Sequence, residues 1–249
     1  MKSLLFRCAL VIGIIFLFSA LLPPAWAEGV AEFRPALVGN GPKSLVNQID
    51  LEKLMRQGQG EAVVMFDAVV GDYRGGSVLQ YNCYGSPDSK ALQQEISKRL
   101  KNCAFIPALA HGKAVDVFFR GAVVFAVRGG RPQLQIFANQ APAELARGSD
   151  YIQPQLIMGT DDWDDAQPYL EVVRRHWRHG IAVVSLAVDA RGKRGESHLV
   201  KEEPKGLNLG AAVLKIFSTA RFIPAFRNGK PVATIFEMSD VIYGRRYHR

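Results

Sequence analysis

The chain has 249 residues, of which 31 are Lys or Arg and 23 are Asp or Glu, so its formal net charge is +8. The basic residues are dispersed, and only the C-terminal stretch GRRYHR is locally dense, which allows no more than a weak preference for anionic surfaces or acidic segments. After the N-terminal region, no segment is long and apolar enough to span a membrane.

The first 27 residues have the features of a secretory signal peptide. Lys2 and Arg7 precede the apolar run ALVIGIIFLFSALL, and Ala25 and Ala27 form an Ala-x-Ala signature that predicts cleavage after Ala27. The alternative is an uncleaved membrane anchor, although the run is shorter than the roughly 20 residues that a spanning helix needs. Export argues against a nucleic-acid partner. About 220 residues would remain, enough for one large domain or two of about 100.

Two cysteines follow the signal segment, Cys83 and Cys103. An even count in an oxidising compartment favours a disulfide. However, the two cysteines flank a predicted helix of about 13 residues, roughly 20 Å long, whereas bridged Cα atoms lie within about 7 Å of each other. A disulfide and a pair of buried free thiols both stay open at this point.

The sequence contains an internal repeat. Residues 103–115 read CAFIPALAHGKAV and residues 220–232 read ARFIPAFRNGKPV, 117 positions later. The same offset extends back to the turns, where Gly75 falls on Gly192, and it holds without a gap over about fifty residues. A register of this length predicts two copies of one structural unit.

Each copy has the same predicted elements. Apolar runs at 62–70 and 181–189 predict first strands, and the segments at 77–84 and 196–203 return as second strands after a turn. Helices follow, then a tight turn (HGK or NGK), then third strands at 115–127 and 232–244. The first copy adds PQLQIFANQ, a candidate fourth strand. The predicted fold class is α+β, with two repeated units that each consist of a small antiparallel sheet of about three strands and a helix packed on it.

The helices should bury an apolar stripe against their sheets. Their buried positions are predicted to be Leu92, Ile96 and Leu100 in the first copy and Leu209, Val213 and Phe217 in the second. Asp88 or Ser89 is the expected N-cap of the first helix, and Phe105 and Phe222 are expected in the core. The predicted organisation is a signal peptide (1–27), an N-terminal tail (28–45), a first unit (46–140), a connector (141–165) and a second unit (166–249).

The second copy resembles the C-terminal domain of the TonB family. The resemblance rests on Tyr169, on Gly180 eleven residues later, on the alternating strand after it, and on the motifs RFIPA and NGKPV. It covers about 80 residues of the second copy and, more weakly, about 60 of the first. It implies a periplasmic binding module in tandem copies, whose last strand pairs with a short extended peptide of an outer-membrane receptor. The residues that the resemblance places at the partner are Tyr169, Val232, Thr234, Ile235, Phe236, Val241 and Ile242.

No catalytic or metal site is predicted. His176 and His179 form an H-x-x-H motif without a third ligand in a basic run, and the acidic stretch DDWDDA lacks the spacing and glycine of a calcium loop. The expected protein is therefore non-catalytic and cofactor-free, and binds a peptide or protein of the cell envelope. Two alternatives are a structural role in envelope assembly and an energy transducer with an uncleaved anchor. The sequence indicates no oligomeric state.

Overall fold

The computed structural model describes residues 32–71, 75–159, 179–206 and 208–243. The signal segment, Tyr169, His176 and the stretch DDWDDA lie outside these residues. The helices are α1 (Leu45–Gln48), α2 (Leu51–Arg56), α3 (Lys90–Leu100), α4 (Pro142–Arg147) and α5 (Leu209–Ile216). The strands are β1 (Phe33–Arg34), β2 (Ala62–Val70), β3 (Val78–Gly85), β4 (Ala108–Ala110), β5 (Lys113–Val115), β6 (Val117–Arg128), β7 (Arg131–Phe137), β8 (Tyr151–Ile152), β9 (Gln155–Ile157), β10 (His179–Val188), β11 (Arg194–Glu203), β12 (Phe222–Ile223), β13 (Ala225–Arg227), β14 (Lys230–Val232) and β15 (Thr234–Tyr243).

The described residues form a mixed α+β fold with antiparallel sheets. In the largest sheet β2 is central, with β3 on one side and β6 on the other. The outer side of β6 pairs with β7 and, at its start, with β9, and β9 in turn pairs with β12. None of the helices in the described ranges is long and apolar enough to cross a membrane.

A second sheet has three strands in the order β11-β10-β15. Its central pairing matches that of β2 with β6. Ala62 lies opposite Phe125 and Val70 opposite Val117, as Gly180 lies opposite Ile242 and Val188 opposite Thr234. The offset between matching residues is thus 118 on the first strand of each pair and 117 on the last.

Helices α3 and α5 each pack on the strands that precede them, α3 on β3 and α5 on β10 and β11. Each helix carries one apolar stripe that is removed from solvent, as the sequence spacing predicts. The buried residues include all six predicted ones, Leu92, Ile96, Leu100, Leu209, Val213 and Phe217. Phe105 and Phe222 are also buried, so these predictions are confirmed.

A glycine just before β3 and a glycine just before β11 make the same backbone contact. The amide of Phe105 donates to the carbonyl of Gly76, and the amide of Phe222 donates to the carbonyl of Gly192. A Cβ at Gly76 would lie 1.8 Å from the Phe105 oxygen, and one at Gly192 would lie 1.9 Å from the Phe222 oxygen. Gly76, and not Gly75, is therefore the counterpart of Gly192. The gap-free offset is wrong here because the turn after β2 is two residues longer than the turn after β10.

Two short hairpins also match. The β4–β5 hairpin turns at His111 and Gly112, and the β13–β14 hairpin at Asn228 and Gly229. All four residues have positive φ, which is the geometry of the type I′ turn that joins two-residue hairpins. The tight turns predicted at HGK and NGK are confirmed.

The segments predicted as a tail and a connector belong to the fold. β1 lies within the predicted tail and pairs with β4, and Leu37 of the tail forms a bridge with Ile106. In the predicted connector, β8 pairs with β13, and β9 lies between β6 and β12. The prediction was wrong about these segments because two- and three-residue strands carry no periodic signal, and their partners are distant in sequence.

The hydrophobic core has two clusters, and in each of them side chains from distant parts of the sequence meet. The first surrounds Phe66 and Phe119 and includes Ile223 and Phe226 from the second repeat. The second surrounds α5 and includes Leu156 of β9, with Phe118 of β6 packed against it. Burial of these side chains joins the two halves of the sequence.

The N-cap position of α3 is one of the two predicted residues, but its side chain does not cap the helix. Ser89 occupies the N-cap position, but its hydroxyl donates back to the carbonyl of Ser86. The side chain of Gln59 supplies the acceptor instead, since its Oε1 accepts from the amide of Leu92 at 3.0 Å. Gln59 Nε2 also donates to the carbonyl of Asp88.

Cys83 and Cys103 are free thiols in the structure, which resolves the open alternative against the disulfide. Cys103 follows the end of α3, where its neighbour Ala104 bridges Ser77. Cys83 lies six residues after Ser77 on the same extended segment, which corresponds to roughly 20 Å at about 3.3 Å per residue. Burial raises the pKa of Cys83, and raises that of Cys103 to about 12, so both thiolates are disfavoured.

Candidate peptide-binding edge

The predicted third strand of the second repeat is two strands in the structure. Val232 ends β14, which pairs with β13, whereas Thr234 begins β15, which pairs with β10. Val232 therefore does not share an edge with the other predicted partner-binding residues, and this part of the prediction is wrong. The first repeat has the same break at Asp116, between β5 and β6.

Side chains of β15 alternate between the core and solvent. Phe236 is half-buried and its ring meets Phe222 edge-on at 5.8 Å between centroids, and Met238 is buried. Ile235 is 71% exposed on the opposite face. Phe236 thus anchors the strand. For Val241 and Ile242 the structure describes the backbone, which continues the pairing with β10.

The two long last strands differ in what covers their outer edges. β6 pairs on its outer side with β7 and β9. β15 pairs with β10 over all ten residues without a register shift, and no described segment pairs with its other side. An edge of this length presents a row of backbone donors and acceptors that another extended chain can satisfy.

The backbone groups at this edge can be assigned from one contact. Arg120 Nη1 of β6 donates to the carbonyl of Glu237 at 3.3 Å. That carbonyl therefore points away from β10. Because backbone orientation alternates along a strand, Ile235 and Ser239 also direct their N–H and C=O groups outward.

The other edge of this sheet, β11, is less suited to pairing. Its ladder with β10 has two register shifts, and its sequence, RGESHLVKEE, is rich in charged residues. Bulges and charges are the usual features that protect an edge strand from further pairing. β15, TIFEMSDVIY, has only two acidic residues and no basic one.

A groove of about 610 Å³ runs beside the exposed face and edge of β15. One wall is formed by β15 and β10, and the other by Met65, Arg120 and the segment from Gln140 to Glu144. Gln153 also lines the groove, and its buried Nε2 has no hydrogen-bond acceptor in the structure.

Arg120 is held at the groove by a polar network. Its Nε lies 3.3 Å from Asp67 Oδ1, and Gln140 Nε2 donates to the same oxygen at 3.0 Å. Burial raises the pKa of Asp67, while Arg120 and Gln140 act in the opposite direction. Both hydrogen bonds of Arg120 are long, so this side chain can leave the Glu237 carbonyl at little cost.

A second network fixes the far wall. The hydroxyl groups of Tyr151 and Thr234 are 3.2 Å apart, which ties β8 to the start of β15. Arg227 lies over the Tyr151 ring at 4.9 Å and bonds Glu144 at 2.7 Å. Burial raises the pKa of Tyr151, and the hydrogen bond to Glu144 raises the pKa of Arg227. Asp150 adds a second carboxylate, 3.3 Å from Arg227.

Sequence reasoning identified the strand but missed the opposite wall of the groove. Arg120, Gln140 and Tyr151 come from segments predicted as a third strand, a candidate fourth strand and a connector, and nothing local in their sequence indicates that they face β15. Comparison of the chain with protein-family models, curated proteins and solved structures finds no match.

Proposed function

We propose that this is an exported, non-catalytic binding protein of the cell envelope, built from two TonB-C-terminal-like repeats, that accepts an extended peptide at the edge of β15. The observation that carries the proposal is a ten-residue strand with no described partner on its outer side, beside a groove. The matching pairings of β2 with β6 and of β10 with β15 support a repeated unit, as do the matching glycine contacts.

The two repeats would differ in function because their edges differ. In the first repeat, β7 and β9 already occupy the position where an added strand would lie. In the second, a peptide strand can bond the outward N–H and C=O groups of Ile235, Glu237 and Ser239. The second repeat would then bind the peptide, and the first repeat would form the far wall of the groove.

Binding would require a local exchange of hydrogen bonds. Arg120 would release the Glu237 carbonyl to a peptide N–H and keep its contact with Asp67. The unpartnered Nε2 of Gln153 would gain an acceptor if a peptide carbonyl enters the groove, which removes the cost of a buried unsatisfied donor. The exposed Ile235 side chain would cover one face of the peptide.

The test uses a peptide selected for binding from a random display library. Ile235→Pro removes one outward donor and should weaken peptide binding at least tenfold, while Ile235→Ala, which keeps the donor, should weaken it much less. Peptide should also slow amide exchange at Ile235, Glu237 and Ser239. Intact binding by a folded Ile235→Pro variant would contradict strand addition. Protection of the same amides without peptide, together with dimerisation, would indicate self-assembly instead.

Export has a separate test. Mass spectrometry of the native protein should find an N-terminus at Glu28. A full-length, membrane-embedded species would favour the energy-transducer alternative.

A further inference from the structure

A second cavity, which shares no lining residue with the groove, has strongly positive walls. It has a volume of about 750 Å³ and lies where the β4–β5 hairpin, the turn between β10 and β11, and the segment after α5 meet. Five permanently basic residues line it, Lys113, Arg191, Lys193, Arg194 and Arg221, together with His111. No Asp or Glu is among the described residues that line it.

Two contacts that involve backbone groups bring these cations together. Lys193 and Arg221 form an isolated antiparallel bridge, which places the turn against the segment after α5. Asp189 holds the turn itself, because its Oδ1 accepts from the amides of Arg191 and Lys193. The carboxylate of Asp189 therefore accepts hydrogen bonds from backbone amides of the turn.

Three of the five basic side chains that line the cavity have no partner among the described residues. The side chains of Lys113, Arg191 and Lys193 are exposed and make no hydrogen bond or ion pair with any part of the chain that the structure describes. Arg194 donates to the neutral hydroxyl of Ser197. The end of α5 supplies only about half a negative charge, which does not balance the three exposed side chains of Lys113, Arg191 and Lys193.

The floor of the cavity is apolar. Phe33, Val115, Ile157, Ala220 and Phe222 line it beneath the basic rim. A volume of this size suits a small organic ligand, and such sites combine an apolar lining with a few polar groups that orient the ligand. Guanidinium groups in particular match phosphate oxygens by paired hydrogen bonds.

We infer that this cavity binds a phosphate-bearing amphiphile, with the phosphate among the side chains of Lys113, Arg191 and Lys193 and the apolar part on the floor formed by Phe33, Ile157 and Phe222. The site is separate from the β15 groove and does not depend on peptide binding there. The same chemistry could come from a membrane phospholipid or from a soluble phosphate ester.

Three probes separate the contributions to binding by calorimetry on the whole protein. Octyl phosphate has both a phosphate head group and a tail, inorganic phosphate has only the head group, and octyl glucoside, used below its micelle concentration, has the same tail with an uncharged head group. Octyl phosphate should bind at least tenfold more tightly than either of the other two, and its affinity should fall with added salt. Equal affinity for octyl phosphate and octyl glucoside would overturn the inference.

Charge variants locate the site. Arg191→Gln with Lys193→Gln should weaken octyl phosphate binding at least tenfold, and Lys113→Gln, on a different element, should weaken it independently. The matched control is Lys98→Gln with Lys101→Gln, which removes two exposed charges at the end of α3 and should leave binding unchanged. An equal loss in the control pair would show non-specific attraction and overturn the site. Flotation with phosphatidylglycerol vesicles identifies the source, since retention by vesicles indicates a lipid and its absence a soluble ester.

Discussion

At the scale of single residues, the two glycines after β2 illustrate how a backbone contact selects one position. Gly75 and Gly76 both have positive φ, but, chain neighbours aside, no atom of the described residues lies within 4 Å of a Cβ built at Gly75. At Gly76 the Phe105 carbonyl lies in the way. The sequence identified Phe105 and Phe222 as core residues from their repeated setting, yet it matched the wrong glycine to Gly192, because the length of a turn is not visible in an apolar pattern.

Gly76→Ala should therefore destabilise the protein more than Gly75→Ala. Both variants place a Cβ on a left-handed residue, which costs about 1–2 kcal/mol. Gly76→Ala must in addition displace the Phe105 backbone, and should cost about 2 kcal/mol more, within the range of severe single substitutions. Urea denaturation of the two variants measures the difference. Equal losses would show that the close approach to Phe105 is not formed.

At the scale of elements, the sequence predicted the long helices and strands and missed the short ones. α3, α5, β2 and β10 have local periodicity over eight or more residues, which is sufficient to identify them. β1, β8, β9 and β12 have two or three residues each, and only their distant partners make them strands. Tyr151 of β8 lines the groove beside β15, so this part of the groove could not be predicted from local sequence.

The start of α3 gives a test of one such distant contact. Gln59 lies 33 residues before Leu92, is buried, and accepts from its amide. Gln59→Ala should lower the free energy of unfolding by about 1–2 kcal/mol, since it leaves an orphan donor at the helix N-terminus and a small cavity. Asp88→Ala, at the exposed residue predicted as the alternative to Ser89, should change it by less than about 0.5 kcal/mol. Thermal or urea denaturation compares the two. A larger loss at Asp88 would show that Asp88, and not Gln59, caps the helix.

At the scale of the whole molecule, the shared core bears on whether the repeats fold separately. Phe226 belongs to the second repeat by sequence, but it is buried in the cluster around Phe66 and Phe119. Leu156 of β9, which pairs with β6, belongs to the other cluster. Neither repeat encloses its core alone. Residues 46–140 and 166–249 are therefore copies in sequence, but we do not expect them to fold as independent units.

Phe226→Ala should consequently weaken both halves together. Truncation of a buried phenylalanine costs about 3–5 kcal/mol, and if the molecule unfolds cooperatively that loss is shared by every element whose amides exchange only through global unfolding. Hydrogen exchange measured by mass spectrometry should show faster exchange in β2 and β6 and also in β10 and β15. Leu79→Ala, at a side chain that is 53% exposed, is the control and should leave both sets nearly unchanged. Faster exchange confined to β2 and β6 would mean that the repeats unfold independently despite their shared contacts.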